Sequence, residues 1–128
     1  INWSWSGHHI ERFINGFDYP YQGAHTLFMD QTVYLHDCLL DTNDGLFHPF
    51  QSGIIYRITK SHICIATTEG TLLVENVVDA SGKKIIFTDA HLGERFFTPI
   101  SKLEEALHTR IAYTAQGLKK QSTPKNTP

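Results

Sequence analysis

The stretch that decides the fold is His25-Thr26-Leu27-Phe28-Met29, the short polar break Asp30-Gln31, and then Thr32-Val33-Tyr34-Leu35-His36-Asp37-Cys38-Leu39-Leu40. Both runs are rich in the β-branched and aromatic residues that suit a pleated surface, and a break this short predicts an antiparallel hairpin. Three more strand-like runs follow at residues 53–58, 62–67 and 71–77, separated by Thr59-Lys60-Ser61 and Thr68-Glu69-Gly70. These separations are again of hairpin length. A further strand is expected at residues 84–87, beyond the turn Asp79-Ala80-Ser81-Gly82. Five to six short strands with no helix between them predict a mainly β fold, a small OB-like Greek-key barrel, rather than an α/β sheet.

Upstream, Ile10, Phe13, Ile14 and Phe17 recur at offsets of an amphipathic helix, and Ser4 or Ser6 can cap it. Asp18-Tyr19-Pro20-Tyr21-Gln22-Gly23 then stops the N-terminal helix, because a proline biases the residue before it away from helical backbone and Gly23 permits a tight turn. Downstream, residues 101–113 read as a C-terminal helix with Leu103, Ala106, Leu107 and Ile111 inward. The chain is therefore expected to form one domain over residues 1–116, followed by a flexible polar tail over residues 117–128 whose apolar content is too low to fold. The first residue is Ile, and the chain enters a folded-looking segment at once, so a larger protein is expected around it.

A hydrophobic share of 41% fits a soluble globular domain, and no apolar run approaches the roughly 20 residues that span a bilayer. No signal peptide is visible, and Cys38 and Cys64 sit in apolar runs as expected of reduced thiols, so no membrane partner and a cytoplasmic setting are expected. The net charge of −2 hides an asymmetry: residues 1–116 carry 8 basic and 13 acidic side chains, a net −5, while Lys119, Lys120 and Lys125 lie in the tail. Such a body is a poor partner for a polyanion.

Eight histidines invite a metal reading, and His8-His9 beside Glu11 is the densest group. Neighbours on a helix point about 100° apart, however, and the two-His spacing of a zinc helix is missing. His25 and His36 are expected to lie close across the first hairpin. In His36-Asp37-Cys38, strand alternation puts His36 and Cys38 on one face, which a thiol–base pair could use but which an ordinary strand explains better. Adjacent Glu104 and Glu105 read as a solvated helix edge. No catalytic, cofactor-binding or metal-ligating residue is assigned. Tyr34, Tyr56, Arg57, Lys60, Lys83 and Lys84 could stack or neutralise a nucleic acid, but the tyrosines read better as core or rim. Lys83 and Lys84 remain the candidate nucleic-acid contact.

Ile1-Asn2-Trp3-Ser4, the helix with Ile10 and Phe17, Tyr19-Pro20-Tyr21-Gln22-Gly23-Ala24-His25-Thr26, Gly53-Ile54-Ile55 and Gly70-Thr71-Leu72-Leu73-Val74 occur in an order that resembles the C-terminal domain of the methionyl-tRNA formyltransferase family. The closing Gly93-Glu94-Arg95-Phe96-Phe97-Thr98-Pro99, the Leu103-Glu104-Glu105-Ala106 helix and the acidic body look closer to members that formylate amino sugars on nucleotide carriers. The resemblance implies a parent N-formyltransferase that uses 10-formyltetrahydrofolate, with its catalytic Asn, His and Asp in an N-terminal domain. This chain contains no Asn-x-His pair, so it is expected to be inactive alone and to hold no cofactor. What the resemblance leaves it is support: packing against the catalytic domain, shaping the acceptor's approach, or pairing subunits as a homodimer. A tRNA-positioning domain and a free-standing interaction module are the alternatives.

Overall fold

The computed structural model describes residues 1–43, 47–107, 110–114 and 117–121. Part of the Asn43-Asp44-Gly45 loop thus lies outside the described residues. Helix α1 (Gly7–Gly16) is capped by Ser6, whose hydroxyl accepts from the His9 N–H at 3.3 Å. Its buried stripe is shorter than the spacing predicts: Ile10 and Ile14 are fully enclosed, while Phe17, at the C-cap, is largely exposed. Gly7 starts the helix because space is absent there, a Cβ meeting Leu40 Cδ1 at 2.6 Å and the Glu69 carbonyl at 2.7 Å.

Strands β1 (Ala24–Phe28) and β2 (Gln31–Asp41) form the expected hairpin, one residue out of place: Phe28 pairs with Gln31, and the turn is Met29-Asp30. Both turn residues have positive φ, 50° and 64°, as a two-residue hairpin that follows the strand twist requires. Strands β3 (Ile55–Ile58), β4 (Ile63–Thr67), β5 (Gly70–Asp79) and β6 (Phe96–Phe97) complete an antiparallel sheet in the order β3-β4-β5-β2-β1-β6. The sheet curls into a half-barrel whose two edges meet at the Ile54↔Arg95 bridge. Ile55 N–H donates to the Glu94 carbonyl and Phe96 N–H to the Gly53 carbonyl there, each at 2.9 Å. Six antiparallel strands with an N-terminal and a C-terminal helix agree with the mainly β reading.

The sixth strand is not the expected one. Residues 84–87 contribute a single bridge, Val78↔Lys84, and the bond from Ile85 N–H to the Val77 carbonyl. The edge is made instead by Phe96 and Phe97, a strand too short to show a period but long enough to bury the Phe96 ring.

Ile1–Phe97 forms one compact unit and Thr98–Pro128 another. In the second, α2 (Ile100–Leu107) ends before residue 113, and β7 (Arg110–Thr114) pairs with β8 (Gly117–Gln121). The helix reading overran because Ile111-Ala112-Tyr113-Thr114 keeps helical offsets while carrying β-forming residues. Strand β8 also takes up the start of the stretch read as tail, and residues 122–128 lie outside the described ones, as do the side chains of Ala106, Leu107 and Ile111.

The core of the first unit joins Ile10 and Ile14 to Val33, Leu35, Ile55, Ile65, Leu72 and Phe96. Phe96 stacks on Trp3 at 5.9 Å and lies 4.7 Å from the Phe28 ring. Trp3 is itself fixed by its indole N–H, which donates to Thr26 Oγ1 at 2.9 Å. Burial of aromatic area on this scale, with every polar handle satisfied, anchors the chain's first residues to the barrel.

Candidate functional site

The polar group with the most unusual environment lies where α1 hands the chain to the barrel. His36 is 2% exposed. Its Nδ1 is 2.7 Å from Asp18 Oδ1 and its Nε2 2.7 Å from the Gln22 carbonyl. A carbonyl only accepts, so Nε2 donates to Gln22, while Nδ1 shares its contact with the Asp18 carboxylate.

Local backbone makes this possible. Gly23 has φ +110°, and a Cβ there would stand 2.7 Å from His36 Nε2, so glycine is needed both for the turn and for the ring's place under it. Asp37 has φ +55°, a left-handed conformation that aspartate tolerates better than most residues. It interrupts the β2–β5 ladder between His36↔Asn76 and Cys38↔Val74. At the same height the buried face changes phase: Val33 and Leu35 are enclosed before it on β2, Leu72 and Val74 before and Val77 after it on β5. The kink is held by Asp37 N–H, which donates to Asp18 Oδ2 at 3.0 Å, and by Asn76 Nδ2, which donates to Asp37 Oδ2 at 2.5 Å.

Asp18 therefore joins the corner to the strand through both carboxylate oxygens. Burial pushes its pKa up, but the Asp37 N–H, the His36 ring and the Tyr19 N–H together outweigh that and hold it below the usual 3.8. Cys38 is the opposite case. Burial first, then the carboxylates of Glu11 and Asp18, push its thiol up to about 12. Its sulfur faces the Asn15 side chain at 3.6 Å rather than His36. The thiol–base possibility in His36-Asp37-Cys38 is thus absent: the histidine is committed to two polar partners and the thiol is held protonated.

Above this pair lies an open groove of about 410 Å³, between residues 19–22 and the turn at residues 78–82. Tyr19 lies flat on His36, centroids 4.0 Å apart and planes 7° apart, and the residue as a whole is 59% exposed. Tyr21, 65% exposed, lines the same groove. The opposite turn is stiffened by Asp79, whose Oδ1 accepts from Ser81 Oγ at 2.6 Å, Ser81 N–H at 2.9 Å and Lys83 N–H at 3.0 Å. Those bonds, led by the Ser81 hydroxyl, hold its pKa below the usual 3.8.

The residues singled out from sequence scatter around this site. Lys83 and Lys84 leave the same turn and are exposed. In the strand register His25 stands opposite Tyr34, ring centroids 6.2 Å apart, and not opposite His36. Tyr56 is covered by Phe47 at 4.9 Å and by the Arg57 guanidinium at 5.2 Å, and its hydroxyl bonds Thr71, so it offers no stacking face. His8 pairs with Glu69 at 3.1 Å, and Glu11 accepts from Leu40 N–H at 2.6 Å, so these two side chains link α1 to the β4–β5 turn and to β2. Among the described residues no three His, Cys, Asp or Glu side chains converge as a metal-binding group. Sequence reasoning passed over Asp18, Gln22 and Asn76, the partners that give His36 and Asp37 their role. The signal available was Asp18 directly before the Pro/Gly corner.

Comparison with known proteins places this architecture. Residues 1–93 match the family model described as formyl transferase, C-terminal domain. The chain belongs to that family. The formyl transferase C-terminal domain here is also 34% identical over 105 residues to a protein of Dechloromonas aromatica (strain RCB) named methionyl-tRNA formyltransferase. The match covers 77% of this chain and 32% of that relative, so the domain spans about a third of the relative's length. The matched residues 1–93 contain α1, the corner and every strand of the curled sheet except β6. No helix among the described residues is long and apolar enough to cross a membrane.

Proposed function

We propose that this domain is the non-catalytic C-terminal part of an N-formyltransferase, which supports the catalytic domain and shapes the acceptor's approach. The parent enzyme moves a formyl group from 10-formyltetrahydrofolate to an amine, on a nucleotide-linked amino sugar, in the cytoplasm. The observation that carries the reading is the family match over residues 1–93, in a chain that spans a third of its relative. The chemistry of the corner supports it: the buried histidine is clamped on both sides and the neighbouring thiol is held at about 12, so both serve structure. The net −5 over residues 1–116 favours a small acceptor over a polyanion. The longer gene product should formylate a nucleotide-linked amino sugar, and the 128-residue chain alone should not; formyl transfer by the isolated chain would sink the reading.

The relative's name favours a second acceptor, tRNA. On that reading the domain positions tRNA, and Lys83 and Lys84 on the exposed turn meet phosphates. Binding would then weaken steeply with salt and fall further when both lysines are changed to Glu. An absence of tRNA binding at low salt decides against it.

A further inference from the structure

We infer that the groove between residues 19–22 and the turn at residues 78–82 is a stacking site for a nucleobase. Exposed tyrosines are common, but an exposed tyrosine backed from beneath is not. The Tyr19 ring rests flat on His36, and both nitrogens of His36 are bonded, to Asp18 and to the Gln22 carbonyl. The stack backs one face of Tyr19, which lowers the ordering cost that a free side chain would carry into a complex. Tyr21 extends the aromatic wall. Across the groove, the three bonds to Asp79 fix the turn that forms the other wall and leave Ala80 and Gly82 as low relief.

The space, about 410 Å³, falls within the range of small-molecule sites. Its two walls supply a π-face on one side and Ser81 and peptide groups on the other, which suits a flat heteroaromatic ring with edge donors and acceptors. Lys83 and Lys84 follow Gly82 in sequence and are exposed, but neither lines the groove, so the base itself and not its phosphates carries the recognition. The base could come from a nucleoside diphosphate carrier or from an unpaired position of an RNA. The two sources share this chemistry and are separated by the test. The inference rests on the formyltransferase reading only for where the base comes from.

The experiment follows amide shifts of the 15N-labelled 128-residue chain on addition of guanosine diphosphate, uridine diphosphate, ribose 5-phosphate and unacylated tRNA. The expected result is that the diphosphates shift residues 19–22 and 79–82 while ribose 5-phosphate does not. Tyr19→Phe keeps the affinity, and Tyr19→Ala weakens it about tenfold, as loss of one stacked base does. Ala80→Trp, made on an exposed turn position that lines the opposite wall, fills the groove and abolishes the shifts; it decides the matter where Tyr19→Ala loses its dispersed spectrum. Shifts at the same residues with tRNA alone, lost in Ala80→Trp, support the site and assign the base to RNA. Three results overturn it: no shift at the groove with any probe at millimolar concentration, equal shifts with ribose 5-phosphate, or tRNA binding that needs Lys83 and Lys84 but ignores Ala80→Trp. A longer enzyme that transfers formyl normally while the groove stays silent removes this inference and leaves the proposed function standing.

Discussion

Phe96 and His36 are both almost inaccessible to solvent, yet they hold their parts of the domain by different means. Phe96 fills a space bounded by Trp3, Phe28 and Phe87, and its contribution comes from the apolar area it removes from water. His36 fills its space at a desolvation cost that two polar partners offset, and its contribution depends on those two contacts and on the Asp18 carboxylate. The difference teaches which perturbation each region feels: the barrel interior responds to volume, the corner to charge and hydrogen bonding. Denaturation of variants by urea, across pH, can break or sharpen this contrast.

The largest effect belongs to Phe96→Ala. Truncating a fully enclosed aromatic leaves a cavity that the closed edge at Ile54↔Arg95 cannot collapse around, and the cost should be about 3–5 kcal/mol. That loss should be the same at every pH where the protein is folded. A cost below about 1 kcal/mol would mean that β6 packs far more loosely than its burial implies.

Asp18→Ala should cost less, about 1–3 kcal/mol, by leaving the His36 ring and the Asp37 N–H without an acceptor. Asp18→Asn keeps one oxygen acceptor and should be milder. If Asp18→Ala changes nothing, the corner is held by the flat Tyr19 ring and not by the carboxylate.

The two regions were unequally legible for a reason that these variants expose. Apolar positions announce themselves by period: Val33 and Leu35, Leu72 and Val74, Ile10 and Ile14 all follow from local spacing, and with them the mainly β fold. The corner is made by residues 18, 22, 36, 37 and 76, whose pairing exists only once the chain has folded, and no local rule links Asp18 to His36 or Asn76 to Asp37. Alternation even pointed the wrong way, since the left-handed Asp37 interrupts the pattern that linked His36 to Cys38. Phe96-Phe97 was missed for want of length, and the segment after Leu107 because helical offsets and β-forming residues coincide there.

Acid should separate the regions next. Asp18 is held below 3.8 in the folded state, so its contribution is present above that value and is lost as the pH falls through the folded pKa. Stability of the parent protein should therefore decline more steeply below about pH 4 than that of Asp18→Asn, which has no such proton to take up. Phe96→Ala should keep the parent's acid slope. Parallel acid limbs for the parent and Asp18→Asn would show that the carboxylate's bonds to His36 and Asp37 are no stronger folded than unfolded.

The smallest effect is expected at Cys38, which lies on the border between the two regions and tests where that border runs. Its thiol is pushed to about 12 by burial first, with Glu11 and Asp18 adding to it, so the apolar surroundings dominate. In a Cys64→Ala background, iodoacetamide at neutral pH should modify the folded protein only as fast as it opens, because the thiolate is the reacting species. Asp18→Asn and Glu11→Gln should each change the labelling rate little once the rate is corrected for altered stability. Phe96→Ala should raise it more, through unfolding. A large rise in Asp18→Asn at unchanged stability would mean that the carboxylates, not burial, hold the proton on Cys38, and that the polar corner reaches one residue further along β2 than the packing indicates.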